Sequence, residues 1–222
     1  MNGCQKPAGR KTEVIHVRAI LFALVVCVVG CQKQQAAARF PGPADTNEMA
    51  VVVSYLEQHY DYCIKSNTPL VIEDTFSIAM LLAGDESQEA FTKSLLSAAS
   101  EEVPIDLIRD FCAKNSHSEK VWPELRARLP VVLLRGSELD SFFAVDHNEK
   151  PDGWDRFYAK YPKSPGIITI SRVGFNSRGD LAMFYIGSQR HWLAGSGSIH
   201  VMRRQGNQWV EEPVSIGRLW VS

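Results

Sequence analysis

The residue types best suited to chemistry in this 222-residue chain crowd into one stretch, Gln189-Arg190-His191-Trp192-Leu193-Ala194-Gly195-Ser196-Gly197. Arg190, His191 and Trp192 set a cation, an imidazole and an indole in succession, a mixture that loop binding sites favour. The segments on either side are apolar and extended in character. The stretch therefore reads as a loop joining two strands, longer than a minimal hairpin and suited to contact a partner protein. The other reading is that Trp192 folds back onto the sheet and the glycines merely permit an unusual turn. Arg172 is a second candidate. A guanidinium inside an apolar strand needs carboxylate or carbonyl acceptors, so it either ties neighbouring loops together or holds a ligand. Asn176 is expected to cap the turn that follows it, because Asn readily bonds local backbone.

Motifs for other chemistry are missing from the sequence. It has no Gly-x-Ser-x-Gly elbow, no His-Glu-x-x-His, no phosphate-binding glycine loop and no Cys-x-x-Cys. Serines do occur in Gly195-Ser196-Gly197-Ser198, without a nucleophile motif around them. His59, His117, His147, His191 and His200 are scattered, with no close pair at metal-ligand spacing. Residues 146–155 (DHNEKPDGWD) carry four acids but lack the ligand order of a calcium-binding EF-hand. Neither a metal nor a cofactor is predicted.

Several elements must position these groups. Met49, Val52, Val53, Leu56, Tyr60, Cys63 and Ile64 recur at helical spacing, with Asp45 and Glu48 placed as a capping box and Asn67-Thr68-Pro69 as a stop. Leu70-Val71-Ile72 is a short extended candidate, and Pro130 to Leu134 looks like a buried strand. Helices are predicted through Phe91, Leu95 and Ala98; from Pro104 through Ile105, Ile108, Phe111 and Cys112; and from Ser137 through Phe143. Trp154, Phe157, Tyr158 and Tyr161 form an aromatic helix face that belongs in a core. Strands follow at 167–176, 181–188, 198–204 and 208–222, turning at Ser177-Arg178-Gly179-Asp180 and Gln205-Gly206-Asn207. Leu181 to Ile186 is apolar on both alternations and should be covered on both faces. Pro213 suggests a bulge or an edge. The expected architecture is α+β: a helical part over about 48–162, packed on an antiparallel meander of about four strands over about 166–222.

The first 31 residues speak to location. Lys6, Arg10, Lys11 and Arg18 precede an uncharged run from Ala19 to Val29, the pattern of a secretory signal too short to span a bilayer permanently. Val28-Val29-Gly30-Cys31 resembles the lipobox of bacterial lipoproteins, and an Ala-x-Ala peptidase site matches poorly there. This resemblance implies cleavage after Gly30 and lipidation of Cys31, with acyl chains enough for a stable hold on a membrane. An ordinary signal peptide or a retained anchor is the alternative. Residues 31–47, with Gln and Ala runs and Pro41-Gly42-Pro43, read as a flexible tether reaching about 20–25 Å. Residues 1–30 carry a net charge of +3, so the whole-chain −1 becomes −4 on cleavage. A mildly acidic domain argues against nucleic-acid binding. Export permits a disulfide between Cys63 and Cys112, although two buried thiols are equally compatible with the sequence.

Residues 104–222 also resemble a family of exported bacterial proteins. The resemblance lies in Gly153-Trp154, Phe157-Tyr158, Tyr161-Pro162, Ser171-Arg172-Val173-Gly174-Phe175-Asn176, Leu193-Ala194-Gly195-Ser196-Gly197 and the terminal Leu219-Trp220-Val221-Ser222. It implies export and supplies no activity. Relatives carry Gln-Ala-Leu-Val-Tyr where this chain reads Asp180 to Tyr185, and some place cysteines near His191. The leading expectation is thus a lipid-anchored envelope protein, periplasmic or at the cell surface, on the outer membrane if the cell is Gram-negative. Its domain would be a non-catalytic binding or structural module. An enzyme, such as a hydrolase, with an atypical site near Arg172 and His191 is the second reading. An inhibitor or sensor domain docking on an envelope partner is the third.

Overall fold

The computed structural model describes residues 43–82, 87–144, 150–214, 216 and 219–221. The signal segment, Cys31, the first part of the tether and residues 145–149 of the acidic stretch lie outside the described residues. Helix α1 (Pro43–His59) starts inside the stretch expected to be tether as far as residue 47. Its burial of Glu48, Val51, Val52, Val53 and Leu56 explains why. A helix anchored that firmly propagates toward its N-terminus at little cost. The chain breaks at Tyr60 and resumes as α2 (Asp61–Lys65), and Asn67 then takes φ 51°, the left-handed conformation Asn tolerates.

The two short apolar segments of the helical half are strands. Strands β1 (Leu70–Glu73) and β2 (Val131–Leu134) pair in parallel, with helices α3 (Gln88–Ser97) and α4 (Ile105–Lys114) between them. Their continuous apolar runs suit parallel strands, which are covered on both faces. Helices α5 (Gly136–Phe143) and α6 (Gly153–Lys160) precede β3 (Ile167–Ile170), which pairs in parallel with β1. The remaining strands are β4 (Gly174–Phe175), β5 (Leu181–His191), β6 (Ala194–Gln205), β7 (Gln208–Glu211) and β8 (Leu219–Val221), all paired antiparallel. The eight strands make one mixed sheet in the order β2-β1-β3-β5-β6-β7, with β4 beside β5 and β8 beside β6. The class is α+β as expected, but the antiparallel meander gains a parallel flank that the sequence reading had assigned to the helical half.

Strand alternation divides the core. Ala182, Phe184 and Ile186 face the layer held by α1, whereas Leu181, Met183 and Tyr185 face α3 and α4. On this second face, farther along the sheet, α5 and α6 cover Val71, Leu134 and Ile167 with Phe142, Trp154, Phe157 and Tyr161. The aromatic helix face is core, as its spacing predicts. Ile105, expected on the buried side of α4, is instead exposed, and Leu107 takes its place. The same division corrects the disulfide expectation: Cys63 packs in the α1 layer and Cys112 in the opposite one, both as free buried thiols. An eight-stranded sheet separates them. Gly174 is required where α4 crosses β4, since an added Cβ would lie 2.4 Å from the backbone nitrogen of Phe111.

Candidate functional site

Arg172, just past β3, lies in a buried ion cluster. Its guanidinium takes both carboxylate oxygens of Glu48, from Nε and Nη2 at 2.9 Å each, and Nη1 binds Glu119. Glu48 is fully buried and also accepts from the Val173 backbone N–H at 3.1 Å. Asn115 seals the other side, accepting from the Arg172 N–H at 2.9 Å and donating to its carbonyl at 3.0 Å. Lys114 donates to the Val173 carbonyl and pairs with Asp110. These contacts tie α1 and α4 to the strand, which is the structural reading of Arg172. Asn176 likewise caps its turn, its Oδ1 accepting from the backbone of Asp180 and Leu181.

The stretch from Gln189 to Gly197 is not a long loop. Strand β5 runs to His191 and β6 begins at Ala194, leaving Trp192 and Leu193 as a two-residue turn after a register shift between Gln189 and His191. Gly195 and Gly197 are strand residues, and Gly197 makes room for its neighbours. Gly187 pairs with Gly197, and a Cβ on Gly197 would meet the Trp220 Nε1 at 2.4 Å and the Tyr185 hydroxyl at 2.6 Å. Those two side chains fill the space, with Trp220 donating to Tyr185 at 2.8 Å. Arg190 and His191 point into solvent, while Trp192 turns inward, half-buried, and meets Phe143 edge-on at 5.4 Å. Nor do Arg172 and His191 form a joint site. The β3–β5 ladder puts Ile170 opposite Ile186 and Ile167 opposite Gln189, so the two residues lie beyond opposite ends of it.

Trp192 leads instead to a cleft that the sequence reading missed. It has a volume of about 450 Å³ and lies between α5, α6 and one face of β1, β3 and β5. Phe143, Trp154 and Trp192 wall it, with Phe143 edge-on to Trp154 at 5.0 Å. Glu73, Asp140 and Gln189 supply polar groups, and no Lys, Arg or His stands among the described lining residues. Burial raises the Glu73 pKa above the usual carboxylate value, and the Thr169 hydroxyl, donating at 2.9 Å, offsets only part of this. The Trp154 indole N–H is buried with no hydrogen-bond partner among the described residues, an arrangement that asks for an acceptor. Trp154 was legible as core but not as a wall, because one ring serves both purposes.

The acidic stretch contributes no ion site among the described residues. Asp152 and Asp155 form the capping box of α6, and Lys150 salt-bridges both. The Lys150 ammonium beside Asp152, together with the backbone N–H of Asp155, holds its carboxyl well below the usual range. No group of metal-ligating side chains is found among the described residues, nor is any described helix long and apolar enough to cross a membrane. No family model, no curated protein and no solved structure matches this chain.

Proposed function

We propose that this chain is a lipid-anchored cell-envelope protein whose folded domain binds a small ligand: an apolar or aromatic body bearing a cationic nitrogen. The observation that carries the binding reading is the aromatic cleft, with two carboxylates and no basic group among its described lining residues. A cation there gains from ring faces and from negative charge together, and partial desolvation strengthens both. Glu73 is the main determinant. Its raised pKa means that ionisation weakens the folded state, and a bound cation offsets that penalty. Trp192 connects this reading to the hairpin that the sequence singled out.

Anchoring rests on Cys31 and the uncharged run before it, and the resemblance over residues 104–222 supports export. Mass spectrometry of membrane-extracted protein is expected to show loss of residues 1–30 and added acyl mass on Cys31. An unmodified Cys31 contradicts the anchor and leaves the cleft reading untouched. The cleft is tested by calorimetric titration with tyramine and with tyrosol, which replaces the ammonium by a hydroxyl. Tyramine is expected to bind at least about tenfold more tightly, equivalent to about 1.4 kcal/mol. Equal affinities would remove the cationic reading.

A further inference from the structure

On the opposite face of the sheet, α1 covers a second polar cluster. Ser198 and His200 are alternate residues of β6, opposite Ile186 and Phe184 in the α1 layer, so both side chains share one face. Ser198 Oγ lies 2.7 Å from His200 Nε2, and His200 Nδ1 lies 2.5 Å from Glu211 Oε1. The second Glu211 oxygen takes a hydrogen bond from His59 Nε2 at 2.8 Å. Tyr55, stacked on His59 at 4.1 Å, places its hydroxyl 3.3 Å from His200 Nε2.

From this geometry we infer that Ser198, His200 and Glu211 form a nucleophile–base–carboxylate relay for acyl transfer from small esters to water. The carboxylate of Glu211 only accepts, so Nδ1 must carry the imidazole proton. Nε2 is then the acceptor for the Ser198 hydroxyl, the tautomer a general base needs. Burial lowers the His200 pKa against the opposing pull of Glu211, which keeps the ring neutral and ready to take a proton. His59 holds the far side of Glu211 and is a positioning residue. Tyr55, whose pKa burial raises, stays protonated, and its hydroxyl, 3.3 Å from the same His200 Nε2 that Ser198 reaches, is placed to donate to the oxygen that becomes negative.

The steps balance without any further reagent. Ser198 Oγ bonds to the ester carbon as its proton passes to His200 Nε2. The tetrahedral intermediate collapses, the ester C–O bond breaks, and His200 returns that proton to the departing alkoxide. Water then repeats the sequence: its proton goes to His200, its oxygen bonds to the acyl carbon, and the Ser198 ester bond breaks with reprotonation of Oγ. The products are an acid and an alcohol.

The test uses the mature protein with a fluorophosphonate probe and p-nitrophenyl acetate. Mass spectrometry is expected to find the phosphonyl group on Ser198. Turnover is expected to rise with pH through a value below that of free histidine and then stay flat. Ser198→Ala and His200→Ala should each lower turnover by about 10³-fold, and Glu211→Gln by about 10–100-fold with partial rescue by Glu211→Asp. Thermal melts identify any variant that fails to fold, and Ser198→Cys then serves as a second probe through thiol acylation. An unlabelled Ser198 in the folded wild-type protein, or wild-type turnover in folded Ser198→Ala, overturns the inference.

Discussion

Arg172, just past the end of β3, and Glu73, the last residue of β1, both place charge against the sheet, and their surroundings treat that charge in opposite ways. The Arg172 guanidinium meets Glu48 and Glu119, Asn115 holds its backbone, and Glu48 takes a further N–H. The protein answers its own charge. Glu73 has one hydroxyl from Thr169 and faces an aromatic cleft whose described lining includes a second acid and no base. A saturated ion cluster holds elements together, whereas an undercompensated carboxylate beside open aromatic rings is a place for a ligand. Burial alone does not separate structure from function; the count of partners does.

The largest effect is expected where the cluster is saturated. Glu48→Ala leaves the Arg172 guanidinium buried without its bidentate partner, which costs about 3–5 kcal/mol. For a domain of this size that lowers the Tm by about 6–20 °C, while tyramine binding below the melt stays unchanged. Replacing both Glu48 and Arg172 by Met should recover much of the loss, and calorimetric melts of single and double variants measure it. No recovery in the double variant would mean that the cluster acts through more than its charge balance.

Trp192→Ala is expected to have an intermediate effect on stability and a marked one on binding. The indole is half-buried, meets Phe143 edge-on and packs against the aromatic cluster of α5 and α6, so its loss costs about 1–2 kcal/mol. Tyramine affinity should fall about tenfold as one wall of the cleft goes. A melt lowered as far as that of Glu48→Ala would assign Trp192 to the core alone.

Glu73→Gln reverses the sign. A carboxyl whose pKa is raised in the fold weakens the folded state as pH climbs past its unfolded value, so its neutral isostere should raise the Tm at pH 7 by about 1–3 °C. At pH 4 the two proteins should melt together, since Glu73 is then protonated in the fold as well. Binding of tyramine should be lost in the more stable variant. His191→Ala, on an exposed strand end, is expected to change stability by less than about 0.5 kcal/mol and binding not at all.

Local chemistry made much of the fold legible. Leu181 to Ile186 is apolar on both alternations and is covered on both faces; Ser177 to Asp180 and Gln205 to Asn207 are the turns their residues predict. Arg172 was legible as a group in need of acceptors, yet Glu48 lies 124 residues away, a separation no local pattern spans. Gly195 and Gly197 misled because glycine signals both a loop and a close approach. Here Gly197 opens a slot for Trp220 and Tyr185 inside a regular ladder. The cleft was hidden for a similar reason: β1 and β2 were too short to declare a parallel flank, so nothing local brought Glu73 to Trp154 and Trp192. Ser198, His200 and Glu211 came from two strands and no motif, so only the register of β6 and β7 unites them.

The most direct measurement is a titration of tyramine followed by the indole N–H resonances of Trp154 and Trp192 at pH 7, in wild-type protein and in Glu73→Gln. The cleft account predicts saturable shifts of both resonances in the wild type, smaller shifts when Glu73 is protonated at pH 4, and none of comparable size in the variant. Shifts that survive unchanged in Glu73→Gln, or that spare both indoles while others move, would contradict it.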